Sequence, residues 1–161
     1  MKFRCAGIVQ NSIVDGLGLR QAIFFQGCQH YCTGCHNKHT WSLTGGYIAD
    51  TDDIIKAYKE DCLLSGVTLT GGEPFLQIVA AVDIAKRVKE LGGNIWCYTG
   101  FVYEDLISLN LDGIKQLLNL VDVLVDGPFK LEHKDLKLLW KGSSNQRVLK
   151  LKGGDIVGTI G

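Results

Sequence analysis

The stretch Val67-Thr68-Leu69-Thr70-Gly71-Gly72-Glu73-Pro74, followed by Leu76 to Gly93, holds the unit from which the rest of this chain is read. Val67 to Thr70 is a short apolar and β-branched run that predicts a strand. Behind it, Ile78, Val79, Val82, Ala85, Val88 and Leu91 recur at helical spacing, and Gly92-Gly93 stops the helix they predict. The same alternation runs outward in both directions. Upstream, Ala22-Ile23-Phe24-Phe25 predicts a strand, and Thr51 or Asp50 caps a helix through Ile54, Ile55 and Tyr58, with Asp52 and Asp53 where the helix dipole favours them. Downstream, Asn94 to Tyr98 predicts a strand, residues 102–119 one or two short helices, and Val121 to Val125 a further strand. Asp135 to Trp140 predicts a helical turn and Gln146 to Leu151 a last strand, leaving residues 1–20 as a lead-in and Gly153 to Gly161 as a loose tail. Strands alternating with helices through Gly-rich turns predict an α/β fold of about five parallel βα units in a single domain over residues 1–161. So few units do not close an eight-stranded barrel, so a partial, open βα barrel is expected, with ligands beyond the strand C-termini.

Composition narrows the function. The chain has 161 residues, with 17 Lys and Arg against 17 Asp and Glu, and so no formal net charge. A balanced surface lacks the field that holds nucleic acid or an anionic membrane, and neither partner is expected. The basic start, Met1 to Gln10, lacks an apolar core, and no later run approaches the roughly eighteen apolar residues of a membrane span, so a cytoplasmic location is expected. A chain of this size builds its core without disulfides, and in a reducing compartment clustered thiols bind metal or do chemistry. Six cysteines, and 20 Gly against 2 Pro, therefore ask for an explanation beyond stability.

Three of the cysteines supply it. Cys28-Gln29-His30-Tyr31-Cys32-Thr33-Gly34-Cys35 is a C-x3-C-x2-C array directly after the Ala22–Phe25 strand, inside a polar loop from Gln26 to Gly46. A loop that long without structure of its own is usually functional, and three thiolates on it can converge on one metal centre. Two centres suit them. Zinc wants four closed ligands, and His39, His30 or His36 completes a Cys3His set. A 4Fe-4S cluster usually takes four cysteines, so three leave one iron open to another ligand.

The Gly71-Gly72-Glu73-Pro74 string gives that ligand a place. Two glycines let backbone approach a ligand closely, and Glu73 puts an acceptor where an ammonium group is held. Cys5, Cys62 and Cys97 lie outside the array and read as buried small hydrophobes. Trp41 and Trp96 read as core anchors, and His133 as a surface residue.

The cysteine loop after one strand and Gly-Gly-Glu-Pro after the next resemble the radical S-adenosylmethionine (SAM) superfamily. The finer resemblance is to the activating proteins of anaerobic ribonucleoside-triphosphate reductases. It rests on Asp15-Gly16-Leu17-Gly18-Leu19-Arg20, Gly27-Cys28 through Asn37-Lys38-His39-Thr40-Trp41, Tyr98-Thr99-Gly100, Val125-Asp126-Gly127-Pro128-Phe129, and Trp140-Lys141-Gly142-Ser143-Ser144-Asn145-Gln146, in order over nearly the whole chain. The related activases of pyruvate formate-lyase share the core but are longer.

The resemblance implies that Cys28, Cys32 and Cys35 hold three irons of a 4Fe-4S cluster while the amino and carboxylate groups of SAM chelate the fourth. It implies that Gly71, Gly72 and Glu73 face the methionyl ammonium and that Gly34, Cys35 and His36 line the other side. The implied activity is that of an oxidoreductase: reductive cleavage of SAM, then a glycyl radical on the large subunit of the anaerobic reductase, with an electron donor such as flavodoxin. No catalytic residue beyond the cluster ligands is implied. Tyr98-Thr99-Gly100 and Asp126 to Phe129 follow strands on the same side and line the cofactor or partner cleft, or serve as turns. Ser143, Ser144 and Asn145 form a polar loop or contact a nucleoside or the partner. The chain departs from the pattern at Gly34, where many members carry an aromatic residue, and at Lys141, where Arg is commoner and Lys lacks its two-pronged grip. The alternatives are activation of another glycyl radical enzyme, such as pyruvate formate-lyase, and a non-enzymatic zinc-stabilised interaction module built on Cys28, Cys32, Cys35 and His39.

Overall fold

Eight strands form one mixed sheet in the order β3-β1-β2-β4-β5-β6-β7-β8 in the computed structural model, which describes residues 1–160. The strands are β1 (Lys2–Ser12), β2 (Arg20–Phe25), β3 (Tyr47–Asp50), β4 (Gly66–Gly71), β5 (Asn94–Tyr98), β6 (Val123–Asp126), β7 (Arg147–Lys152) and β8 (Asp155–Thr159). The helices are α1 (Thr51–Glu60), α2 (Ile78–Glu90), α3 (Tyr103–Ser108) and α4 (Asp112–Leu120). The expected alternation accounts for the centre: β2, β4, β5 and β6 are parallel neighbours joined through helices.

The flanks differ from the expectation. The fifth parallel unit does not exist, because β7 pairs antiparallel with β6. The lead-in contains β1, an 11-residue strand antiparallel to β2. The presumed tail contains β8, which returns along β7 through Gly153-Gly154, both at positive φ. Such a two-residue loop is the tight hairpin that glycine permits; Gly161 lies outside the described residues. Asp135 to Trp140 is not helical: Asp135 Oδ1 accepts from Lys137 N at 2.9 Å, and Trp140 has φ +70°, so side-chain bonding and a left-handed residue displace the helix. One helical turn forms earlier, at Leu131–His133.

The helices cover one face of the sheet. Ile23 and Phe25 of β2, Val67 and Leu69 of β4, Ile95 and Cys97 of β5 and Leu124 of β6 alternate onto that face and pack with Ile54, Ala81, Ile84, Val88, Leu117 and Leu118. Each fully buried aliphatic chain there contributes about 1.5–3 kcal/mol. Asp50, rather than Thr51, caps α1, accepting from Asp52 N at 3.0 Å. Gly92, at φ +85°, ends α2 by donating to Lys89 O, with Gly93 donating to Val88 O. The opposite face carries a smaller cluster of Trp96, Val123, Val125 and Val148, joined by Tyr98 and Trp140. Cys5 and Cys97 are buried as expected, whereas Cys62 is exposed, lying in the turn after α1 rather than under it. Among the described residues no helix is long and apolar enough to cross a membrane.

Candidate metal and cofactor site

The four parallel strands end on one edge of the sheet. Their following loops, residues 26–46, 72–77, 99–102 and 127–146, therefore meet there. Where they meet is a cavity of about 140 Å³ lined by Cys28, Cys32 and Cys35 from the first loop, Gly71 and Gly72, Tyr98 to Gly100, and Gly127, Phe129 and Gln146.

The cysteine loop is pinned at its base. Gly27 N donates to Thr40 O at 2.6 Å and Cys28 N to Trp41 O at 3.2 Å, while Gln26 Nε2 donates to His39 O and Ser42 O. Cys35 N closes a turn onto Cys32 O at 3.1 Å, and Asn37 N donates to Cys35 Sγ at 3.4 Å. Burial pushes the Cys28 and Cys32 thiols up, and the proximity of the other cysteines adds to this. A cluster of thiols that resist ionising together is relieved by a cationic centre among them. Trp41, which also lines the cavity, carries a buried indole N–H without a partner. This donor set suits an iron-sulfur cluster. Among the described residues no group of three or more His, Cys, Asp or Glu side chains is disposed to hold a metal ion, so the three thiols share the cavity without converging on a point.

Gly71 and Gly72 serve the contact between loops. Gly71 has φ +91°, and a Cβ there would stand 2.6 Å from Phe25 N. A Cβ on Gly72 would collide with the Gly27 carbonyl oxygen. Gly72 N donates to Phe25 O and Glu73 N to Gly27 O, both at 2.8 Å, so the second loop lies directly on the first. The Gly72 N–H is thereby engaged within the protein, while its Cα face still lines the cavity.

Glu73 lies behind that wall, 1% exposed. Its Oε1 meets His30 Nε2 at 2.6 Å and accepts from Thr99 Oγ1 at 2.7 Å and Gly100 N at 2.9 Å, and Oε2 accepts from Phe75 N at 3.2 Å. Of the expected cofactor contacts, Cys35, Gly71 and Gly72 line the cavity; Gly34, His36 and Glu73 do not. Gly34, at φ +78°, sits under Phe129 and Leu131, and His36 is exposed with its ring edge on Phe129. His39 is exposed as well.

The last loop closes the site. Gln146 Oε1 accepts from Gly142 N and Ser143 N, its Nε2 donates to Gly127 O, and Asn145 Nδ2 donates to Pro128 O. Ser143 is fully buried, its Oγ accepting from Lys130 N, and Lys141 Nζ donates to Gln146 O at 3.1 Å through a single contact. Ser143, Asn145 and Gln146 thus staple this loop to itself. Asp126, 1% exposed, accepts from Tyr103 N and Arg147 Nε rather than facing the cavity. Burial pushes up the hydroxyl of Tyr98, a residue that lines the cavity. Sequence reasoning passed over His30 as anything but a metal ligand and Trp41 as anything but a core residue. The Tyr-Thr-Gly string was the signal for Thr99 and Gly100, but no spacing rule tied it to Glu73.

A family model described as a 4Fe-4S single cluster domain matches residues 14–149. The anaerobic ribonucleoside-triphosphate reductase-activating protein of Salmonella typhi is 38% identical over 149 residues, 87% of this chain and 94% of that protein. The protein of the same name from Escherichia coli (strain K12) matches to the same extent, 38% over 149 residues. That of Enterobacteria phage T4 is 34% identical over 143 residues, 84% of this chain and 86% of its own. Among solved structures, QueE from Escherichia coli superposes with a TM-score of 0.52 at 20% identity, covering 62% of this chain. The chain spans about half of QueE, 53% of its length, and the likeness is one of fold.

Proposed function

The chain belongs to the family of anaerobic ribonucleoside-triphosphate reductase-activating proteins, and on that premise we propose that it is a radical SAM oxidoreductase that activates such a reductase. The observation that carries the reading is the meeting of Cys28, Cys32 and Cys35 with Gly71 and Gly72 around one cavity. In this reading the three thiolates hold a 4Fe-4S cluster and leave one iron for SAM. When bound, a reduced cluster held by these thiolates would supply, from the electron donor, the one electron needed for reductive cleavage of SAM, the chemistry that would leave a glycyl radical on the reductase.

The protein's own part is to bind, position and shield. Gly71 and Gly72 bring backbone to the cavity wall, so the amino-acid end of SAM lies against backbone. Glu73 adds a carboxylate close behind that wall, and Gly34 and His36 set the opposite side through Phe129. Trp41 offers its indole N–H to an acceptor on the bound group. Tyr98 and Phe129 add apolar surface to a wall that also carries Thr70, Thr99 and Gln146, and that apolar part helps to exclude water from the reaction. The partners are the reductase large subunit and an electron donor such as flavodoxin, and the site is a partial βα barrel over a single domain in the cytoplasm.

Protein isolated without oxygen is expected to be brown, with about four irons and four sulfides per chain. Replacement of Cys32 by Ala should lower the iron content and abolish methionine release from SAM under dithionite; unchanged release would refute the ligand assignment. Mixing the loaded protein with SAM, dithionite and the reductase should give a glycyl-radical doublet in the electron paramagnetic resonance spectrum. Stoichiometric zinc in colourless protein would overturn the proposal.

A further inference from the structure

His30 belongs to the cysteine loop yet touches two others. Its Nε2 meets Glu73 Oε1 at 2.6 Å, in the loop after β4. Its ring packs edge to face on Phe101, centroids 4.6 Å apart, beyond β5. It also lies over Gly100 so closely that a Cβ there would come within 2.7 Å of the ring Cγ. The Oε1 it meets already accepts from Thr99 and Gly100, so Nε2–H is the donor and Glu73 the acceptor. The base of the cysteine loop is tied by backbone bonds, but between Cys28 and Cys35 the ring of His30 is the side chain that reaches the Glu73 wall.

We propose that His30 is a positioning residue that clamps the cysteine loop onto Glu73, Gly100 and Phe101, so that the loop is held against the cavity wall before any metal arrives. The donor requirement is specific: a side chain that fills the space without an N–H leaves the buried Glu73 oxygen short of a partner and the loop free to lift. A preset loop lowers the ordering cost of binding, so the clamp also raises the affinity for SAM. That second consequence rests on the proposed function; the first does not.

Two variants separate donation from packing. His30→Leu keeps an apolar side chain against Phe101 without a donor, and His30→Gln keeps an N–H at similar reach. Amide hydrogen exchange is followed in the full-length, metal-free chain. The Leu variant should exchange at least tenfold faster over residues 28–37 than the parent, the Gln variant should recover most of the protection, and Ile78–Glu90 should be unchanged in both. Parent-like exchange in the Leu variant overturns the clamp. So does a rise that extends equally through Ile78–Glu90, which would make His30 a general stability residue. With the cluster loaded, the SAM concentration that half-converts the reduced-cluster resonance should rise at least tenfold in the Leu variant and little in the Gln variant. If the parent shows no response to SAM, the proposed function fails, while the exchange comparison still decides the clamp.

Discussion

At the residue scale, Gly72 shows how one missing side chain serves two ends. Its Cα lies where the loops after β2 and β4 touch, and a Cβ would strike the Gly27 carbonyl oxygen and stand 2.8 Å from its carbon. Both obstacles are backbone and cannot swing aside. Gly72→Ala should therefore destabilise the fold by about 1–3 kcal/mol, read from urea unfolding, and should reduce cluster retention. That the two glycines let backbone approach a ligand is half of the matter, because the Gly72 N–H is bonded to Phe25 O. Glu73 makes the same point. Its place after two glycines marked it as a site residue, but only the tertiary contacts give its carboxylate to His30, Thr99 and Gly100. Nothing local distinguishes a carboxylate that faces a cavity from one that holds the cavity's wall.

At the element scale, the two ends of the parallel strands are built differently. The C-terminal ends carry the site, while Arg20 ties the N-terminal ends together. It is fully buried, and Nε, Nη1 and Nη2 donate to Thr68 Oγ1, Leu17 O, Asn94 Oδ1, Val67 O and Asn94 O, so that starts of β2, β4 and β5 share one guanidinium. Burial lowers its pKa to about 10, and its Cζ lies 5.6 Å from the Trp96 ring centroid. Arg20→Met leaves several buried acceptors without donors, and a loss of about 1–3 kcal/mol is expected in denaturant unfolding. The loop of residues 127–146 depends on Gln146 in a comparable way, but with little at stake for the sheet. Gln146→Ala frees Gly142, Ser143 and Gly127 from their side-chain bonds, so trypsin should cut at Lys130, Lys134, Lys137 or Lys141 at least several-fold faster. Unchanged cleavage would show that Asn145 and Ser143 suffice.

At the scale of the whole molecule, the core and the site lie on different parts of the sheet. The main core sits between the sheet and α1, α2 and α4, whereas the cavity lies beyond the ends of β2, β4, β5 and β6. Removing a bound cluster with a chelator should thus lower the melting temperature without unfolding the chain, and far-ultraviolet circular dichroism should keep its native shape at 25 °C. Collapse of that spectrum would place the cluster among the folding determinants. What the sequence by itself determined is what neighbours in the chain decide: the helix of Ile78 to Glu90 with its glycine stop, the four central strands, and the cysteine spacing. Patterns of period two and 3.6 and the stereochemistry of glycine are local properties. Tertiary structure decided the rest. β1 is a strand because its long-range partners β2 and β3 satisfy its backbone groups, and β8 is fixed by its pairing with β7, although Gly153-Gly154 ahead of Ile156, Val157 and Thr159 is itself a local hairpin signal. The same holds for the site, since Cys28, Gly72, Thr99 and Gln146 meet only because four parallel strands bring their ends to one edge.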